Sequence, residues 1–286
     1  MLVDKPAGMS SHDVVQVVRR RLGTRAVGHT GTLDPFATGL LVILVGRATR
    51  LARFVEAQPK RYVATARLGA RTTTDDLTGE VIAASSEGGS IPGFRVLEEL
   101  SSFQGTQLQR PPQYSAKQVA GQRSYQKARR GEVVDLVPVS VTIQSVELVQ
   151  YSPPDLTFRT VVSAGTYIRA MARDLGERLG VGCHLTSLRR EAIGSLLVDE
   201  AVTLEQLGPS DVLPAHTVLR DLPQVDLDDA ARAAVAHGRA VADDESEAAG
   251  RGGSGAAVAM FSAGELIGVA ESVDGWLRPK VVLEPS

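Results

Sequence analysis

Cysteine is almost absent from this chain of 286 residues. Cys183 stands alone, so no internal disulfide and no cysteine-based zinc cluster can form, and it reads as a small packed residue rather than a nucleophile. Long apolar runs are missing too. The longest, such as Leu40 to Gly46 and Val258 to Phe261, fall far below the roughly 18 residues that a membrane-spanning helix requires. The N-terminus, MLVDKPAGMSSHD, has no basic segment followed by an apolar one. A secretory signal is therefore not expected, and a cytoplasmic location is. No segment repeats in tandem, and the glycine-rich GRGGSG lacks the Lys-Ser or Lys-Thr ending of a phosphate-binding P-loop. Acids are missing between Phe103 and Gly131, where Arg110, Lys117, Arg123, Lys127, Arg129 and Arg130 all fall. The C-terminal part instead carries Asp226, Asp228, Asp229, Asp243, Asp244, Glu245 and Glu247. The net charge of −2 thus masks a local surface suited to phosphates.

What is present is enough for a substantial core. With 43% hydrophobic residues over 286 positions, the chain is expected to form one large and one small domain. Leu2 to Asp4 reads as a strand. Ser10 or Ser11 is placed to cap a helix with the apolar face Val14, Val15, Val17, Val18 and Leu22. Ala26 to Leu40, rich in Gly and Thr, reads as a loop before the buried strand LLVILVG. A helix is expected from about Ala48 to Gln58. In the strand RYVATARLG that follows, Tyr62, Ala64, Ala66 and Leu68 share one face. Two more strands, VSVTIQSVEL and LTFRTVVSAG, precede a helix in TYIRAMARDLGERLG. The pattern is mixed α/β (α+β) and lacks the regular alternation of a doubly wound nucleotide fold. Beyond about Pro223, an acidic helix over Asp226 to His237 and three short strands predict a small β-barrel.

The segment Gly28 to Leu41, GHTGTLDPFATGLL, holds the residues most suited to chemistry. Pro35 fixes its own φ and pushes Asp34 toward an extended conformation. An Asp-Pro pair is often only a surface turn, but Gly28, Gly31 and Gly39 would let another molecule approach the backbone on both sides of the acid. HTGTL resembles the phosphorylated loop of cation-pumping ATPases, yet the aspartate and lysine that precede TGT there are Gly28 and His29 here. A glycoside hydrolase would need a second, comparably placed carboxylate, and none is evident.

The motifs VDKPAGMSSHD, GHTGTLDPFATGLL, KRYVATARLGARTTTDD, SAGTYIRAMARDLGERLG and CHLTSLRR, in unbroken order over residues 1 to about 207, resemble the TruB family of pseudouridine synthases. The resemblance implies a catalytic domain around a central antiparallel sheet, no metal and no cofactor. It implies isomerisation of the T-loop uridine of tRNA (position 55), with residues 1–220 catalytic and 221–286 a small RNA-binding barrel of the PUA kind, reduced or altered in keeping with its acidity. It implies that Asp34 is the catalytic acid and that Arg169 pairs with it. Tyr62 would stack on the extruded uracil with its hydroxyl near C5, Tyr167 and Leu188 would line the base pocket, and His29 would contact the tRNA loop beside the flipped nucleotide. Lys5 and Pro6 match a mainly structural motif, and Asp76 matches a recurring acid with Asp75 as its neighbour. The acid-free window 103–131 coincides with an RNA-clamping insertion, in which Tyr114 and Tyr125 offer stacking surfaces.

The chemistry asks for such residues by itself. Conversion of uridine to pseudouridine breaks the bond from C1′ to N1, turns the uracil and joins C1′ to C5, with no net redox change. An ionised Asp34 could attack the sugar or the base, or take a proton from the sugar. The expected partner is the T-arm stem-loop of tRNA, met by a monomer. The competing reading is a non-catalytic tRNA-binding protein or tRNA-folding chaperone on the same fold. The intact set of Asp34, Tyr62 and Arg169 counts against it, since a pure binder gains nothing from an acid facing a phosphate-rich ligand.

Overall fold

The computed structural model describes residues 1–114, 118–119, 122–123, 136–243 and 255–283. Strand β1 (Leu2–Lys5) leads to helix α1 (Ser11–Leu22). Ser10 caps this helix in a reciprocal box: the Asp13 amide donates to Ser10 Oγ at 3.2 Å, and the Ser10 amide donates to Asp13 Oδ2 at 2.9 Å. Gly23 closes it in the left-handed conformation. Of the expected apolar face, Val14, Val15 and Val18 are buried, and Val17 and Leu22 pack on the rim of the same cluster.

Next come β2 (Val27–Thr30) and β3 (Thr38–Val45). The segment expected to be one loop from Ala26 to Leu40 therefore begins as a strand and ends in one. The expected helix over Ala48 to Gln58 is a 3-10 turn, Gly46–Leu51, followed by a short α2 (Ala52–Glu56). Strand β4 (Lys60–Leu68) buries Tyr62, Ala64, Ala66 and Leu68 on one face, as its alternation predicts. A hairpin of β5 (Ala70–Thr72) and β6 (Val81–Ala84) follows, then α3 (Gly93–Ser101), β7 (Gly105–Gln109) and the short paired strands β8 (Gln118–Val119) and β9 (Gln122–Arg123). Strands β10 (Val139–Ser152) and β11 (Asp155–Val162) form a long hairpin. Helix α4 (Ile168–Leu179) then leads to β12 (Cys183–Ile193), β13 (Leu196–Leu197) and β14 (Val202–Thr203).

The large sheet runs in the order β14-β1-β3-β12-β4-β11-β10-β7, with β2 and β13 attached to β3 and β12. It is mostly antiparallel, but β1 with β14 and β3 with β12 pair in parallel. Its register creates the site. At Val42, β3 pairs with Leu2 on one edge and Thr30 on the other; at Gly39 it pairs with Lys5 and Arg190. Strands β2 and β12 thus share one edge of β3 and part along it. Residues 31–37, which connect β2 to β3, fall at this parting. Gly39 has φ of 100°, and a Cβ there would lie 2.3 Å from the Arg190 carbonyl oxygen, so only glycine permits the junction.

Helices α3 and α4 cover one face of the sheet. Leu100, Met171 and Leu175 pack there on Ala64, Phe158 and Leu185, each large apolar side chain contributing about 1.5–3 kcal/mol by leaving water. Cys183 is buried in this core, as expected, and burial pushes its thiol above the usual range.

The C-terminal part comprises β15 (Gln224–Asp226), α5 (Asp229–Ala236), β16 (Val241–Ala242), β17 (Ala256–Ser262), β18 (Glu265–Val273) and β19 (Trp276–Val282). The expected helix over Asp226 to His237 starts later because Asp228 serves as its cap, accepting from the Ala231 amide at 2.7 Å. The strands form a half-barrel in the order β15-β17-β18-β19-β16. Ala259, Val269 and Val281 share one buried cluster with Leu40, Val42 and Leu44 of the large sheet. Among the described residues, no helix is long and apolar enough to cross a membrane.

Candidate active site

A cavity of about 370 Å³ opens where β2 and β12 part. Its wall includes Asp34, Tyr62, Tyr167, Arg169 and Leu188, so five of the residues singled out in the sequence meet in one place. They come from the 31–37 loop, β4, the start of α4 and β12.

The loop that carries Asp34 is held from below. Lys5, fully buried, donates from Nζ to the carbonyl oxygens of Pro6 (2.8 Å), Met9 (2.7 Å) and Pro35 (3.3 Å). Burial pulls its pKa down to about 8, against the attraction of Asp34. Ser11 Oγ accepts from the Leu33 amide at 2.9 Å and donates to the Leu33 carbonyl at 3.2 Å. Leu33 and Ala37 are buried on either side of the acid. The Lys-Pro motif is thus the buckle that fastens the active loop to the N-terminal strand.

Arg169 meets the Asp34 carboxylate with two parallel hydrogen bonds, Nε to Oδ2 at 2.8 Å and Nη2 to Oδ1 at 3.0 Å. Only Arg provides this planar fork. Nη1 also donates to the Thr74 carbonyl at 2.9 Å, and Nη2 to the Tyr114 carbonyl at 2.8 Å. With 4% of its side chain exposed, Arg169 is no surface helix arginine. Asp76 approaches Nη1 at 3.7 Å from the other side. Its Oδ1 accepts from the Thr78 amide (2.9 Å), Thr78 Oγ1 (2.6 Å) and Thr74 Oγ1 (2.7 Å). The two adjacent acids divide their roles. Asp76 faces Arg169, while Asp75 faces Arg173 at 3.3 Å and is pushed up to about 6 by burial against the pull of Arg173 and Arg169.

A third of the Asp34 side chain faces the cavity. Burial pushes its carboxyl above the ordinary aspartate value, opposed by the charge and hydrogen bonds of Arg169. The acid is therefore oriented by one cation and open on one side, as a nucleophile or base must be. Tyr62, 8% exposed, presents its ring to the same space.

Other expected residues lie elsewhere. His29 is half-buried on β2, opposite Ile43 and outside the cavity wall. Arg110 is exposed, and its carbonyl accepts from Arg173 Nη2 at 2.8 Å. Arg123 belongs to β9; Lys117, Tyr125, Lys127, Arg129 and Arg130 lie outside the described residues. Two buried cations on the wall, Lys60 and Arg190, were missed by sequence reasoning. The alternation of β4 puts Lys60 on the face of Tyr62 and Ala64, a signal that could have found it. Among the described residues, no group of three or more His, Cys, Asp or Glu is placed to hold a metal ion.

The family model described as TruB family pseudouridylate synthase, N-terminal domain, matches residues 19–168. The one described as tRNA pseudouridylate synthase B C-terminal domain matches residues 169–222. A relative from Aquifex aeolicus named tRNA pseudouridine synthase B is 38% identical over 99% of this chain and 98% of its own. One of the same name from Thermobifida fusca is 42% identical over 100% and 98%. A third, from Corynebacterium diphtheriae, is 45% identical over 72% and 71%. Among solved structures, a chain of a Cbf5-Nop10-Gar1 complex superposes with a TM-score of 0.76 at 25% identity, covering 99% of this chain and 84% of that one. A chain of an H/ACA RNP bound to a substrate RNA shares the fold, with a TM-score of 0.73 at 23% identity and coverage of 99% and 84%. From the match over residues 19–168 and relatives at 38 to 45% identity, the chain belongs to the TruB family of pseudouridylate synthases.

Proposed function

We propose that this protein isomerises uridine to pseudouridine in the T-loop of tRNA, with Asp34 as the reacting carboxylate. The observation that carries the reading is the two-point Arg169–Asp34 pair on the wall of a cavity shared with Tyr62, Tyr167 and Leu188. Arg169 holds the acid in one orientation, and burial excludes competing water from the far side. Tyr62 stacks on the extruded uracil, and its hydroxyl lies near the proton that leaves C5 while N1 gains one. Tyr167 and Leu188 bound the base, and His29, beside the cavity, meets the loop left behind. Residues 1–220 act as the catalytic unit and 221–286 as a PUA-like RNA-binding unit. The basic window with Arg110, Lys117, Arg123, Lys127, Arg129 and Arg130 grips phosphates of the T-arm. The protein works as a cytoplasmic monomer and needs no metal or cofactor.

Purified protein incubated with unmodified tRNA and no added cofactor is expected to yield one carbodiimide-dependent reverse-transcription stop in the T-loop. Binding without such a stop would leave a non-catalytic RNA-binding protein. An isolated T-arm stem-loop is expected to react as well, while a fully paired duplex around the same uridine is not. Asp34 cannot reach a glycosidic bond inside a stack, and unstacking costs a few kcal/mol, least where pairing is absent. An inert stem-loop beside a reactive full tRNA would move the determinants to distant tRNA surfaces.

For Tyr62→Phe, kcat is expected to fall about a hundredfold or more, with less than about a tenfold loss of binding, because the ring still stacks but the hydroxyl is gone. Wild-type single-turnover rates in that variant would reduce Tyr62 to packing.

A further inference from the structure

We propose that Lys60 and Arg190 form an anion seat on the wall of the cavity that also holds Asp34, and that it holds a phosphodiester group next to the flipped uridine. This deepens the proposed function and rests on it. Lys60 and Tyr62 alternate on the inner face of β4, and Arg190 is the cross-strand partner of Tyr62 on β12, so all three point into one space. Both cations are more than nine-tenths buried, at 7% and 1% exposure. Among the described residues, neither has a carboxylate within ion-pair distance.

Their known hydrogen bonds leave donors over. Lys60 Nζ donates to the carbonyl oxygens of Glu56 and Gln58, the latter at 2.6 Å; an ammonium has three donors. Arg190 donates from Nε to the Leu40 carbonyl at 2.7 Å and from Nη2 to the Gly31 carbonyl at 2.9 Å. That leaves Nη1. The remaining donors converge on bare backbone: a Cβ built on Gly31 would lie 3.4 Å from Arg190 Nη1 and 3.9 Å from Lys60 Cε. Neutral side chains could tie the same carbonyls. Two like charges buried together cost free energy unless an anion meets them, and burial together with the Arg190 charge pulls Lys60 down to about 8 against the attraction of Glu56, which also lines the cavity but lies beyond ion-pair distance. Asp34 and the two cations line one cavity, so a nucleotide with its C1′ at Asp34 has a phosphate on each side of its ribose to offer the seat.

The test is a cycle between protein charge and RNA charge. Binding of T-arm stem-loops is measured in the Asp34→Asn background, with an ordinary linkage or a neutral methylphosphonate placed singly on the 5′ or 3′ side of the target uridine. One of the two neutral linkages is expected to weaken binding about tenfold, as loss of one charge-assisted contact would. With Lys60→Met added, that same linkage should have no further effect, while Lys60→Arg should restore it. If neither linkage matters, the proposal falls. That holds even if inorganic phosphate competes for the site, which would mark a seat for free phosphate. Additive losses for the variant and the neutral linkage would overturn it too, leaving the two cations as ties for backbone carbonyls. Where Lys60→Met fails to fold, Lys60→Gln takes its place in the same cycle. A protein that forms no pseudouridine even in full tRNA overturns the proposed function and this inference together, whereas an active protein with additive losses overturns the inference alone.

Discussion

Replacement of Asp34 by Asn is expected to lower turnover by at least about a thousandfold and to leave tRNA affinity within about threefold of wild type. Asparagine keeps the shape of the side chain and can still accept one hydrogen bond from Arg169, but it can neither attack carbon nor take a proton. Removal of a negative charge beside a phosphate-rich ligand gives no reason for weaker binding. Single-turnover rates and filter-binding curves on one tRNA preparation separate the two quantities. Equal loss of both would make Asp34 a binding residue. A pH profile adds a second readout. Burial raises the Asp34 carboxyl above its ordinary value of 3.8, so as pH falls the reactive ionised form is lost sooner than for an exposed aspartate. The acid limb of kcat/KM should therefore lie above that value. A limb at or below it would mean that another group limits the reaction.

Arg169→Met carries the largest expected cost to the fold. It leaves the Asp34 and Asp76 carboxylates without their shared cation and strips donors from the Thr74 and Tyr114 carbonyls. Breaking a buried pair from one side destabilises by about 3–5 kcal/mol. Turnover should fall by at least about a hundredfold, because the acid is no longer oriented and holds its proton to higher pH. Arg169→Lys should recover part of the stability and little of the rate, since an ammonium cannot make the two-point contact. The stability deficit has a definite sign with pH. In the methionine variant the Asp34 carboxyl, already raised by burial, loses the opposing pull of Arg169 and rises further above its unfolded value, so folding takes up more protons and the deficit shrinks as pH drops through the carboxylate range. Chemical denaturation at two pH values checks this. A deficit that grows on acidification, or a variant as stable as wild type, would contradict the geometry.

The local rules of the chain were legible without coordinates. Alternation placed Tyr62, Ala64, Ala66 and Leu68 on the buried face of β4, because a strand's side chains must alternate whatever it pairs with. The capping box at Ser10 and Asp13 needs only residues three apart. Asp34 before Pro35 announced a restrained acid, and the resemblance to the TruB family implied Arg169 as its partner with Tyr167 and Leu188 beside it. Strand β2 was hidden, since Gly28, His29 and Thr30 have a loop-like composition and become a strand only because β3 offers a free edge. Lys60 shares the buried alternation of Tyr62 and Ala64, but Arg190 was hidden because a charged residue in a strand reads as solvent-facing until the neighbouring strands enclose it. The tertiary structure decided the geometry in which the charges meet. Arg169 reaches Asp34 across 135 residues of chain, and Asp76 rather than Asp75 faces that arginine. Period and capping are properties of a few neighbouring bonds, whereas register between distant strands, and with it the parting of β2 and β12 that opens the cavity, exists only once the chain has returned on itself.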